Sequence, residues 1–282
     1  MYQLSPIEPV DYLIIGHITR DLTPDGPHLG GTVTYSALMA QALGLRVGMV
    51  TSRGTELPLG PLQSIPIINN PSENSTTFEN ISTPTGRTQI VHNIAKQLDY
   101  YLVPDLWRDA PIVHLGPIMQ EVDPGIVRYF PDSLIGLTPQ GWLRAWDYDG
   151  KVYLSEWPEA AFVLEHSGAA VVSLEDVEGD ERRLEEMATY CQILAVTEGA
   201  QGVRIYWNGD IRRFPAPEAD VLDTTGAGDI FATAFFTRLH TTRNPWEAAR
   251  FANLLASISV SRIGLQAIPT PEEIQNCMIE VF

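Results

Sequence analysis

Asp223-Thr224-Thr225-Gly226-Ala227-Gly228-Asp229 runs directly into Ile230–His240, a stretch that is apolar on nearly every side. An apolar helix of that kind belongs in the middle of a core. Its N-terminus carries the glycines. Free N–H groups and the positive end of the helix dipole make such a place an anion site, and glycine lets the backbone approach the anion without a Cβ in the way. An aspartate at the same place opposes simple anion binding. It makes sense as a group that takes a proton from a hydroxyl attacking phosphorus. Magnitudes favour that reading. A charge at a helix N-terminus contributes about 0.3–1 kcal/mol, whereas a positioned general base supplies about 10²–10⁴ in rate, roughly 3–5 kcal/mol of barrier.

The chain around this segment alternates strand and helix signals. Val10–Ile15 is a short apolar run ending at Gly16, and a passage rich in glycine and proline leads to Gly30-Gly31. A helical pattern then covers Thr34–Leu43 up to Gly44, and Arg46–Thr51 reads as the next strand. Further strands are expected at Ile112–Leu115, Ser133–Leu137, Ala170–Leu174 and Gln192–Thr197, with a charged helix over Asp180–Tyr190. This order predicts a mostly parallel sheet. Asn208-Gly209 between Val203–Trp207 and Asp210–Phe214 predicts a hairpin. Asn244-Pro245-Trp246-Glu247 reads as the cap and first turn of a helix reaching about Arg262. Residues 64–100 differ: β-rich stretches separated by Pro84-Thr85-Gly86 suggest an exposed antiparallel flap.

Composition bounds the function. The 282 residues are 44% hydrophobic and 19% charged, which describes a globular chain. Basic residues number 18 and acidic ones 35, a net charge of −17 that repels nucleic-acid phosphate. A bound phosphate must then be held by local devices. No apolar run approaches the roughly 18 residues of a spanning helix, and no basic segment precedes an apolar run at the start, so a cytoplasmic protein with no membrane partner is expected. Two cysteines, Cys191 and Cys277, cannot build a zinc or disulfide framework. His17, His92, His114 and His166 show no metal-ligand spacing. The P-loop is excluded, because neither Lys96 nor Lys151 follows its glycine pattern. The dinucleotide fingerprint is absent after Gly16.

The segment 223–229 resembles the C-terminal signature of the ribokinase-like, or PfkB, carbohydrate kinases, and the resemblance extends over nearly the whole chain. Gly30-Gly31 is similar to the family's N-terminal glycine pair, and Asp21 to its sugar-binding aspartate. Thr197-Glu198-Gly199-Ala200-Gln201-Gly202 resembles the nucleotide-side loop, and Asn253 falls on the late helix near the adenine. The resemblance implies one three-layer α/β/α domain spanning 1–282, with a mostly parallel central sheet and a small antiparallel β flap. Lid segments are expected at about 21–30 and 64–98. It implies transfer of the γ-phosphoryl group of ATP to a hydroxyl of a small sugar or polyol. Asp229 would be the base, and the N–H groups of Gly226, Ala227 and Gly228 the anion hole.

Asp21, Gly30, Gly31, Tyr35 and Arg87 would face the acceptor, and Thr197, Gly199, Gly202, Thr225 and Asn253 the nucleotide. Glu178 would hold Mg²⁺ through water, and dependence on a monovalent cation is left open by the sequence. Three departures bear on specificity. Tyr35 stands where the family has asparagine, Thr138-Pro139-Gln140 replaces a D-x-N segment, and Glu175 replaces the asparagine of N-x-x-E. Gln140-Gly141-Trp142-Leu143-Arg144 is similar to the myo-inositol kinase branch. A nucleoside kinase, or a weakly catalytic binding protein on the same fold, remains open, as does a monomer or a homodimer paired through the flap.

Overall fold

The computed structural model describes residues 7–56, 58–83 and 86–280. In chain order the strands and helices are β1 (Tyr12–Ile15), β2 (Thr19–Thr23), β3 (Gly26–Gly30), α1 (Thr32–Ala42), β4 (Val47–Arg53), β5 (Ile67–Pro71), β6 (Thr76–Thr83), β7 (Gly86–Asn93), β8 (Ile112–Leu115) and β9 (Leu134–Leu137). They continue as β10 (Arg144–Trp146), β11 (Val152–Leu154), α2 (Ala160–Glu165), β12 (Ala169–Ser173), α3 (Glu181–Tyr190), β13 (Ile193–Thr197), β14 (Val203–Trp207), β15 (Asp210–Phe214), α4 (Ala227–Thr242), α5 (Pro245–Ser259) and α6 (Pro271–Glu280).

Nine strands form one sheet in the order β15-β14-β13-β12-β9-β8-β1-β4-β5. The pairs from β12–β13 through β4–β5 are parallel, and β14 and β15 close one end as an antiparallel hairpin. Alternation along each strand splits the core in two. Tyr12 and Ile14 face a layer containing Met39, Phe231, Phe235 and Phe251 from α1, α4 and α5. Leu13 and Ile15 face Trp107, Phe130, Trp142 and Leu184 on the other side. This is the three-layer α/β/α arrangement that the alternating signals predict. Helix α4 is buried along most of its length, as its all-round apolar sequence requires. Among the described residues no helix is long and apolar enough to cross a membrane.

A second sheet rises from the ends of β1 and β5, in the order β3-β2-β6-β7. It consists of two antiparallel hairpins joined by a parallel β2–β6 pair, so the flap is mixed rather than purely antiparallel. Its second half is 76–93. Residues 67–71, placed in the lid by the sequence reading, instead form the edge strand of the large sheet. The β10–β11 hairpin was not foreseen. Its tip reaches the flap, where the Val91 N–H donates to Gly150 O at 2.8 Å. Gly150 has φ +79° and lies so close that a Cβ would come within 2.3 Å of Val91 O, so glycine is required there.

Candidate active site

Strand β1 neighbours β4 on one side and β8 on the other, which makes it the point where the sheet order reverses. Crevices at such points, outside the carboxyl ends of parallel strands, are where α/β folds bind ligands. Asp21 from β2, Tyr35 from α1 and Gly226 and Asp229 from the start of α4 come near one another.

Gly226 caps α4 in the left-handed conformation, φ +79°. A Cβ at this position would lie 2.2 Å from the Tyr35 ring, so the phenol of α1 packs flat against the glycine. A Cβ on Gly228 would meet nothing within 4 Å, which leaves the first turn of α4 open on that side. The Ala227 N–H donates to Thr224 O at 3.2 Å, and the Thr225 N–H to Asp223 Oδ1 at 2.9 Å. The other oxygen of Asp223 accepts from the Gly264 N–H at 3.0 Å, tying the glycine turn to the loop after α5.

Asp229 lies in the first turn of α4, half-buried. Burial is the main reason its carboxyl is pushed up to about 7. The neighbouring Asp176 carboxylate adds to that rise, while a hydrogen bond from Thr32 and the charge of Arg144 oppose it. Tyr35 is 4% exposed, and its hydroxyl is held well above the usual phenol range, first by burial and then by Asp229, Asp223 and Asp21. The phenol therefore stays neutral among three carboxylates.

Asp21 is set in place by its neighbours. The Thr19 hydroxyl donates to its Oδ1 at 2.9 Å, and a Cβ on Gly30 would overlap its Oδ2 at 2.0 Å. Gly31, φ +85°, is the N-cap of α1, and a Cβ there would lie 2.7 Å from His17 O. Both glycines of the pair are thus demanded by close packing. Arg87 is placed on β7 opposite Ser82, near the hairpin tip, and its side chain lies outside the described residues.

On the far side of α4, Gly199 (φ +56°) has open space where a Cβ would be, while Gly202 lies against Phe214 O. Thr197 ends β13, and Thr225 is exposed beside the glycine turn. Asn253 donates to Pro215 O at 2.8 Å and so secures the segment after β15. Val221, Leu222 and Ile263 are 59%, 68% and 67% exposed. They border the turn, since Leu222 N donates to Val260 O and Gly264 N to Asp223.

Sequence reasoning passed over several site residues. Glu178 is exposed, at a left-handed position ending the turn after β12. The carboxylate whose charge reaches Asp229 is Asp176. It accepts from Gln140 Nε2 at 2.6 Å and from the Ser173 N–H at 3.0 Å. Its signal was the capping box Ser173-x-x-Asp176, two residues ahead of the register read from sequence. Thr32 and Arg144 carried no signal of their own. His17 and His114 are structural. His17 joins Thr76 Oγ1 at 2.7 Å to Lys96 O at 2.8 Å, at the two roots of the flap. His114 lies between Tyr12 OH and Thr138 Oγ1, each at 2.9 Å, and burial lowers its pKa to about 3.

Residues 154–273 match the pfkB family carbohydrate kinases. The chain is 25% identical to the cytidine kinase of Thermococcus kodakarensis over 80% of its own length and 87% of that protein. It is 39% identical to the ribokinase of Bacillus subtilis over 33% of the chain and 32% of that protein. A pyrophosphate-dependent kinase of the ribokinase family, solved with a pyrophosphate analog and myo-inositol, superposes with a TM-score of 0.79. That likeness covers 94% of this chain and 99% of the other at 18% identity. The likeness shows the ribokinase fold. The chain is similar to the pfkB family of carbohydrate kinases, with the family match carried by residues 154–273.

Proposed function

We propose that this chain transfers the γ-phosphoryl group of ATP to a hydroxyl of a small sugar or polyol, with Asp229 as general base. The observation that carries the reading is the Asp229 carboxyl, raised to about 7, in the first turn of α4 beside an open glycine backbone. The acceptor hydroxyl gives its proton to Asp229 as its oxygen bonds to phosphorus. The bond from phosphorus to the bridging oxygen breaks, and ADP leaves with that electron pair. Charge building on the transferred group is met by backbone N–H donors at the helix start. Ala227 is engaged with Thr224, so Gly226 and Gly228 are the donors assigned here.

Asp21 accepts hydroxyls of the acceptor from the flap side. Tyr35, packed against Gly226 and within reach of the Asp21 charge, narrows the acceptor side, which favours a compact polyol over a nucleoside. The flap at 76–93 shuts out water, the competing acceptor.

Among the described residues no three His, Cys, Asp or Glu side chains cluster as a metal cage. That fits Mg²⁺, which binds through one or two carboxylates and waters together with substrate phosphates. Asp176, whose charge raises the Asp229 carboxyl, is the carboxylate suited to hold it through water. When bound, the ion neutralises charge on the phosphates.

ATP is favoured over pyrophosphate as donor by the exposed Val221, Leu222 and Ile263 beside the glycine turn, an apolar border that a base can cover and a bare diphosphate cannot. An ADP-release screen across polyols, sugars and nucleosides, with pyrophosphate as the competing donor, tests the reading. Acceptor-dependent ADP formation with a polyol or sugar supports it, and turnover confined to nucleosides or to pyrophosphate overturns it.

A further inference from the structure

A cavity of about 540 Å³ opens where the chain enters β8 and β9. Its walls are the turns at 100–109 and 129–132, which precede those two strands. It therefore lies at the amino ends of the parallel strands, the end of the sheet opposite to the cleft that holds Asp229. Its size is that of small-molecule sites, about 300–1,000 Å³. The walls are tied to each other and to the core. Ser133 Oγ donates to Ala110 O at 2.7 Å, and the Leu134 N–H to Pro111 O at 2.9 Å. The buried Trp107 donates from Nε1 to Glu8 O at 2.9 Å.

Two tyrosines stack in this cavity, with the Tyr100 and Tyr129 ring centres 4.2 Å apart and their planes 15° from parallel. The Arg108 guanidinium stands 4.5 Å from the centre of the Tyr100 ring and pairs with Asp105 at 2.6 Å. The protein thus already sets one organic cation of its own against a ring and beside a carboxylate. The same two elements recur on the outer side of the stack. Tyr129 has one ring face against Tyr100 and is 47% exposed, so its other face is open. Asp132 follows it three residues later, and Asp109 stands on the other wall. Among the described residues neither carboxylate has an ion-pair or hydrogen-bond partner. Three carboxylates against one guanidinium leave two negative charges uncompensated. That excess repels a phosphate or carboxylate ligand. Among the described residues the carboxylates do not gather into a metal cage. A second copy of this chain, at net charge −17, would set carboxylate against carboxylate. Two positive charges on a slender apolar chain fit, because ammonium groups are attracted both by a tyrosine face and by carboxylates, and methylenes lie well on a ring.

We propose that this cavity binds a small dicationic amine, a diamine or polyamine, with its ammonium groups at Asp109 and Asp132 and its methylene chain across the open face of Tyr129. The site is separate from the cleft and does not rest on the phosphotransfer reading.

Calorimetric titration of the full chain with putrescine, spermidine and butylamine at physiological salt tests this. Putrescine and spermidine are expected to bind saturably, one to one, and about fivefold or more tighter than butylamine, which carries a single charge. Tyr129→Ala should weaken putrescine about 3–5-fold through loss of the ring face. The double variant Asp109→Asn/Asp132→Asn should weaken it about tenfold. The control is Glu218→Gln/Asp220→Asn, the same charge change on exposed residues after β15. Charges more than a Debye length away are screened, so the control should stay within about twofold of wild type. Equal weakening in the control would mean diffuse attraction to an acidic surface and would overturn the site, as would the lack of saturable binding at millimolar amine. Should Tyr129→Ala fail to fold, the double carboxamide variant, which alters only exposed side chains, carries the test.

Discussion

Asp229 titrates near 7 because its charged form is poorly solvated at the helix start. Thr32, Asp176, Arg144 and Tyr35 are the groups around it. On the proposed mechanism Asp229 acts only when deprotonated, so kcat/KM, which reports the free enzyme, is expected to rise through an apparent pKa of about 7 and to fall about tenfold per unit below it. A flat profile between pH 5.5 and 8 would contradict this. Stability runs the other way. A carboxyl whose folded pKa exceeds its unfolded value of 3.8 destabilises the fold when ionised. Asp229→Asn is therefore expected to melt higher than wild type at pH 8. The gap narrows as pH falls from 7 towards 4, and equal Tm values at pH 8 would remove burial as the cause. At Gly30, a methyl group would displace Asp21. Gly30→Ala should raise the KM of the acceptor about 10–100-fold while the KM of ATP stays put, a split that steady-state kinetics resolves.

At the scale of elements, α5 begins where Asn244 Oδ1 accepts the N–H groups of Trp246 and Glu247 at 3.1 and 3.3 Å. Loss of that cap in Asn244→Ala is expected to cost about 1 kcal/mol, read as a shift in denaturant midpoint with unchanged slope. Unchanged stability would mean that the helix start is held by packing alone. Elements of this kind were legible because their signals are local. The cap before Pro245, the Asn208-Gly209 turn with both φ values positive, and the apolar runs of β1, β8, β12 and β13 each fall where the sequence placed them. The β10–β11 hairpin was not legible. Its strands have three residues each, too few for alternation to register, and it is held by Val91, more than fifty residues earlier in the chain. Asp21, Gly30, Gly31, Tyr35, Gly226 and Asp229 were legible from motif spacing and meet in one cleft. Thr32, Arg144 and Asp176 were not, since they reach Asp229 only through the tertiary fold.

The whole molecule is a rigid sheet bearing a flap fixed at its roots. Thr76 Oγ1 meets both His17 Nδ1 at 2.7 Å and the Ala95 N–H at 3.0 Å. Close by, the buried Glu121 accepts from the N–H groups of His17, Ile118 and Met119. Thr76→Val leaves buried partners unsatisfied and should cost about 1–3 kcal/mol. A loosened flap also admits water, so ADP release without acceptor should rise relative to transfer. An unaltered ratio would show that the roots do not govern closure. The proposed function turns on one proton transfer to Asp229, and the most direct measurement is kcat and ATP affinity for Asp229→Asn beside wild type. The expected result is a fall in kcat of about 10²–10⁴ with the Kd of ATP within threefold. A variant that keeps most of its kcat would show that this carboxylate is not the base.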